Sequence, residues 1–204
     1  AGGVNFVPPR PEAAALLRDG VARPVDTGTV NDHFFLNNVS IGNYPRMVRK
    51  RDALQAQGRS KRVAGLIAVA TTWWHLRNLT ASIRFDDLQM LRRSPFILIG
   101  NGSYILSGFS LGKREIISDQ KLSLYVAPRT GRLGALSLPM RALIGTLDRY
   151  EKFESFSANQ ITMAVRHARV LAGIDGDVRA AESPQRVTIT PRALQHLWPR
   201  PGGR

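Results

Sequence analysis

The stretch Gly173-Ile174-Asp175-Gly176-Asp177 holds the residue types that could most directly do chemistry. A carboxylate set between two glycines in a tight turn can be presented to a ligand, which suits a catalytic base. The same dipeptide has a plainer reading: Asp-Gly signals a hairpin, with glycine supplying the positive φ. The other candidates are also oxygen donors. Asp119 lies in Ser118-Asp119-Gln120-Lys121-Leu122 and reads equally as a turn residue. Asn38, Ser40 and Gly42 lie in "NNVSIG", and Asn101 and Gly102 in "IGNG", where Asn-Gly also closes turns. The four histidines, His33, His75, His167 and His196, stand singly, so there is no zinc pattern. No Walker A sequence and no Gly-x-Gly-x-x-Gly occurs, so no loop is evident that would aim N–H groups at nucleotide phosphates.

The elements that must position these residues come from a chain of 204 residues with 43% hydrophobic content, enough for one domain with its own core. There is no cysteine, which excludes disulfides and thiolate metal sites. Lys and Arg number 29 against 15 Asp and Glu, a net charge of +14 that attracts polyanions, either nucleic acid or an anionic membrane. The excess is concentrated over 46–62, where Arg46, Arg49, Lys50, Arg51, Arg59, Lys61 and Arg62 face the single acid Asp52. That run has no aromatic residue for base stacking, so the membrane is favoured and no specific nucleic acid is expected. The apolar run Val63–Trp74 is too short to span a bilayer and no signal-peptide pattern opens the chain, so a soluble protein is expected.

Residues 1–11 are Gly/Pro-rich and read as a flexible arm, 12–198 as the domain and 199–204 as a tail. A short helix is expected over 12–19, and strands over 25–30 and 33–39 joined at Asn31-Asp32. The clearest helix covers 60–77, capped by Ser60, with Val63, Leu66, Ile67, Ala70, Trp73 and Trp74 on an apolar face. One tryptophan is expected in the core with its neighbour at the margin. His75 reads as a surface or capping residue. From Leu79 onward short strands dominate: 81–85, 94–101, 122–127, 155–157, 161–165, 170–174 and 187–189, interrupted by a helix near 137–147. The class is mainly β with peripheral helices (α+β), an antiparallel β-sandwich or barrel.

Taken with "FFLNNVSIG", "FILIGNGSYILSGF", "SDQKLSLYV" and "RVTITPRALQHL", the order of these segments over 10–198 resembles the C-terminal domain of the bacterial diacylglycerol/lipid kinase family, within the diacylglycerol kinase and NAD kinase superfamily. The resemblance implies an acceptor-side domain of an ATP-dependent lipid kinase. Asp175 would be the general base that takes the proton from a lipid hydroxyl, with Asp177 standing where the family usually has Glu. It implies a structural Mg²⁺ on Asp119 and the carbonyls of Ile116 and Lys121, although Ser118 and Gln120 replace the family's Asp and Gly. Asn38, Ser40, Gly42, Asn101 and Gly102 would line an interdomain cleft.

ATP would sit on a preceding α/β domain whose Gly-Gly-Asp-Gly-Thr loop does not occur here, so this chain alone is expected to be inactive. The lipid acceptor would lie between the sheets. Further expectations are a cytoplasmic protein peripheral to the inner face of the membrane, docking through 46–62, and open to forming a homodimer. The alternative is a non-catalytic basic module for anionic lipid or nucleic acid.

Overall fold

The computed structural model describes residues 17–102, 120–129, 131 and 154–198. Alternation of apolar and polar residues builds most of it. β4 (Leu79–Phe85) buries Ala81, Ile83 and Phe85, while β6 (Phe96–Asn101) buries Ile97 and Ile99. Each strand can therefore offer one apolar face to a partner sheet. The first sheet runs β2 (His33–Phe35), β1 (Val21–Val30), β12 (Gln185–Trp198), β9 (Gln160–Val165), β4 and β5 (Leu88–Ser94). The second runs β11 (Asp177–Glu182), β10 (Arg169–Ile174), β3 (Asn38–Gly42), β6, β7 (Leu122–Val126) and β8 (Glu154–Ala158).

Among the described residues every pairing is antiparallel and both sheets are open, so the architecture is a sandwich and not a closed barrel. Its core joins Phe35, Ile83, Ile161, Met163 and Val187 of the first sheet to Val39, Ile41, Ile99, Leu124 and Ile174 of the second. Among the described residues this space is filled by side chains. Cavities open at the ends of the sandwich and between the two helices that follow β3.

The strand expected over 33–39 is in fact two. It breaks at Leu36-Asn37, where the chain leaves the first sheet and enters the second. The turn at Asn31-Asp32 is as expected, with Asn31 at φ 49° and Val30 opposite His33.

Two helices follow β3. α1 (Asn43–Ala56) falls where only a basic run was read, and lies against β3, β10 and β11 through the buried Pro45, Val48 and Leu54. Pro45 is tolerated because a first-turn N–H has no helical partner. Gly173 contributes here: a Cβ on it would stand 2.7 Å from Ser40 Oγ and 3.6 Å from the Pro45 ring.

α2 (Lys61–Trp74) begins at Ser60, whose hydroxyl accepts the Val63 N–H at 3.4 Å, as expected of a cap. It ends at His75, an exposed C-cap whose Nδ1 lies 3.0 Å from the Thr71 carbonyl. Its orientation corrects the sequence reading. α2 packs on α1, not on a sheet, and its buried residues are the small Ala64 and Ala68, which allow close approach. Leu66 is therefore 73%, Val69 53% and Trp74 59% exposed, and Trp73 is half-buried. The helix near 137–147 lies outside the described residues, as does most of 12–19.

One buried carboxylate organises a sandwich end. β1 bulges between Val25 and Thr27, which turns Asp26 inward at 1% exposure. Its Oδ2 accepts the Gln120 N–H at 3.0 Å and its Oδ1 the Arg192 N–H at 2.8 Å. Both donor residues are left-handed, at φ 56° and 53°. Such backbone persists only when neighbours over-determine it. Asp26→Ala should lower unfolding stability by about 3 kcal/mol, since two part-buried donors lose a charged partner. Denaturant midpoints would measure it, and a change no larger than that of Asp19→Ala at the surface would contradict it.

Candidate functional site

The hairpin between β10 and β11 turns on Asp175-Gly176, both at positive φ (49° and 95°), as the two-residue primed turn requires. Its direction is set from across the fold. Asp175 Oδ2 accepts the Leu36 N–H at 2.6 Å, and Oδ1 accepts those of Asn37 at 2.7 Å and Asn38 at 3.0 Å. The Asp175 N–H in turn donates to the Asn38 carbonyl at 3.0 Å. The exposed carboxylate therefore closes over the crossing between the sheets, with both oxygens held by backbone donors.

Asn101 holds the same crossing from the other side. Its Nδ2 donates to the Asp26 carbonyl at 2.7 Å and to the Leu36 carbonyl at 3.0 Å, and its N–H to the Asn37 carbonyl at 2.9 Å. Gly102, at φ 84°, donates its N–H to the Lys121 carbonyl at 3.0 Å. Asn38, Asn101, Gly102, Lys121 and Asp175, from four strands or their margins, thus meet at one end of the sandwich.

The remaining expected residues do not join them. Ser40 sits midway along β3, buried, with Oγ 3.5 Å from the Gly173 carbonyl. Gly42 is roughly 13 Å of strand from Asn38. It is kept for a backbone reason: φ is 108°, and a Cβ there would run into the Pro95 carbonyl. Ile116 and Asp119 lie outside the described residues. Lys121 brings its carbonyl to this end, where it accepts the Gly102 N–H. Gln120, in place of the family's glycine, occupies a left-handed backbone and is secured by Asp26. Among the described residues no group of three His, Asp or Glu could hold a metal ion.

Beside Asp175 opens a cavity of about 320 Å³ lined by Asp32, His33, Phe34, Asp177 and Arg179. Phe34 is 76% exposed at its rim, and Arg179 lies 3.8 Å from Asp177, a loose pair. Asp26, His33, Phe34 and Arg179 were missed by sequence reasoning. They are brought here only by strand pairing, and no local motif marks them. At the far edges of the two sheets, Arg92 of β5 and Glu154 of β8 pair at 2.7 Å. That hydrogen bond, helped by the charge of Glu154 and opposed by desolvation, holds the Arg92 guanidinium above its ordinary pKa.

No family model matches the sequence. Solved structures do match: a Bacillus anthracis protein assigned as a diacylglycerol kinase aligns with 93% of this chain at a TM-score of 0.67 and 19% identity. The fold is that of a diacylglycerol kinase. Two further Bacillus anthracis structures, one titled a diacylglycerol kinase and one assigned as such, align with 93% of the chain at TM-scores of 0.58 and 0.60 and identities of 14% and 18%. The chain spans 62%, 58% and 60% of these three chains, or about three-fifths of the diacylglycerol kinase structures it matches.

The carboxylate clasp has a measurable consequence. Asp175→Asn would turn an NH₂ group toward backbone N–H donors and should cost about 1–2 kcal/mol, within the range for lost hydrogen bonds to charge. A thermal melt would read it, and an unchanged midpoint would contradict the three-donor arrangement.

Proposed function

We propose that this chain is the acceptor-side domain of an ATP-dependent lipid kinase. What supports the reading is the meeting of Asp175, Asn38, Asn101, Gly102 and Lys121 at one end of a sandwich with the diacylglycerol kinase fold. Phosphoryl transfer asks little covalent chemistry of a protein; it needs an acceptor oxygen held in line with the phosphoryl group and relieved of its proton. Asp175 Oδ2 carries one N–H partner where Oδ1 carries two, so Oδ2 is the oxygen that takes the lipid hydroxyl. The acceptor headgroup lies in the cavity beside it, with the Phe34 ring as an apolar wall.

Mg·ATP would be held by an α/β domain outside residues 1–204, with a glycine-rich loop that this sequence lacks. A Mg²⁺ ion would be held by Asp119 and the carbonyls of Ile116 and Lys121, oxygen ligands that suit a hard cation. Membrane contact falls to the basic residues of α1 and the exposed apolar residues of α2. No helix among the described residues is long and apolar enough to cross a bilayer.

Two measurements test the reading. In the full-length protein, Asp175→Asn should lower turnover by roughly 10²–10⁴-fold, the range for a lost general base. Turnover at the wild-type level would return Asp175 to a purely structural turn. Residues 1–204 alone, titrated calorimetrically with Mg·ATP, should show no tight binding. Micromolar affinity would place the nucleotide site within this chain and contradict the division of labour.

A further inference from the structure

At the other end of β10, about 20 Å of strand from Asp175, a second cavity of about 460 Å³ opens between the start of α1, the start of β4 and the β9–β10 turn. Four guanidiniums line it: Arg46, Arg77, Arg166 and Arg169, with His167 beside them and no Asp or Glu among the lining residues. Among the described residues none of the four is in an ion pair; the arginines that pair with acids are Arg18, Arg51, Arg92 and Arg179. One acid stands close by, Glu182, opposite Arg169 in the β10–β11 register; the four cations outnumber it, an arrangement that an anion relieves.

The walls are fixed. Asn43, 8% exposed, donates Nδ2 to the carbonyls of Arg77 and Pro95, both at 2.8 Å, and its Oδ1 accepts the Arg77 N–H at 3.3 Å. This ties the first residue of α1 to the chain just before β4 and sets the spacing between Arg46 and Arg77.

A larger groove of about 900 Å³ shares Asn43, Arg46, Arg77 and Leu171 with this cavity and runs on between α1 and the end of α2, past Arg49 and Lys50 to Trp74. The two form one trough with guanidiniums at one end and a half-exposed tryptophan at the other. Beyond it lies the outer face of α2 with Leu66 and Val69.

We infer that this trough is a receptor for the phosphate headgroup of a membrane phospholipid, and specifically for a phosphomonoester. A monoester carries close to two negative charges at neutral pH and three acceptor oxygens. It can engage several guanidinium forks at once, whereas a phosphodiester offers one charge and two free oxygens. Trp74 and the aliphatic face of α2 rest in the headgroup and acyl boundary, where an aromatic ring and a basic face are both favoured. Nucleic acid would match the arginines and could stack on Trp74, but it offers nothing to Leu66 and Val69. The inference rests on the membrane reading above and is independent of the kinase reading, because the trough and Asp175 occupy opposite ends of β10.

The test is co-sedimentation of this chain with phosphatidylcholine vesicles carrying either phosphatidate or phosphatidylglycerol at matched surface charge. Phosphatidate should be preferred by roughly tenfold, the scale of one additional charge-assisted contact. Arg77→Ala with Arg169→Ala, and separately Arg77→Lys with Arg169→Lys, should both abolish the preference, because the lysines keep the charge and lose the fork. Arg49→Glu with Lys50→Glu should weaken binding to both vesicles alike.

Circular dichroism confirms that each variant is folded, which these exposed positions allow. Equal binding of the two lipids, or a preference that survives the alanine pair, would overturn the headgroup site and leave the membrane reading standing. No binding to either vesicle would overturn both. Calorimetric binding of glycerol 3-phosphate as tight as that of the vesicles would assign the pocket to a soluble ester, and tighter capture of duplex DNA would assign the trough to nucleic acid. Either result contradicts the proposal.

Discussion

Three consecutive backbone N–H groups, those of Leu36, Asn37 and Asn38, converge on one carboxylate, and the sandwich depends on it. The chain must pass from the first sheet to the second at this point. A crossing segment leaves its N–H groups without ladder partners, and unpaired backbone donors are costly away from water. Asp175 supplies the acceptors from 137 to 139 residues away in sequence. Asn101 supplies the complementary donors, binding the Leu36 and Asn37 carbonyls. Together they turn a flexible crossing into a fixed corner. Through Asp26, which binds the Gln120 and Arg192 N–H groups, the same corner reaches β7 and β12.

Under the proposed function this arrangement would give Asp175 two tasks at once. A carboxylate with both oxygens anchored is held in direction, so a hydroxyl bound in the neighbouring cavity would meet it at a set angle. The cost of such preorganisation is that one substitution changes fold and chemistry together. Turnover of Asp175 variants therefore has to be read beside their stability. The arginine trough is built differently. Its side chains are exposed and its shape is held by the Asn43 amide, so its charges can be altered with little effect on the core.

Much of the architecture was legible in the residues. Alternating apolar positions marked β4, β6, β7, β9 and β10, and Ser60 marked the start of α2. Asp175-Gly176 marked a turn. What failed was what depends on distant partners. His33–Val39 carries no glycine or proline at its break, so it read as one strand; the break is imposed by hydrogen bonds from Asp175 and Asn101. α1 has Arg46, Arg49, Lys50 and Arg51 interrupting its apolar positions, and hid within the charge run. The edge strands Leu88–Ser94 and Asp177–Glu182 are largely exposed and lack an apolar alternation. The apolar residues of α2 surround more of the helix than one face. Periodicity alone could not tell that the small Ala64 and Ala68 side would be the buried one. At the candidate site, the types and rough grouping of Asn38, Asn101 and Asp175 were readable. Their mutual geometry was not, since it runs through main-chain atoms that carry no sequence signal.

The central claim is that Asp175 faces the acceptor hydroxyl, and a crystal structure of the full-length protein with a lipid alcohol and a non-hydrolysable ATP analogue tests it most directly. The hydroxyl oxygen should lie within hydrogen-bond reach of Asp175 Oδ2, about 2.6–3.2 Å, with the headgroup against Phe34. A hydroxyl seated elsewhere, in the arginine trough or against another carboxylate, with Asp175 still closed over Leu36, Asn37 and Asn38, would contradict it.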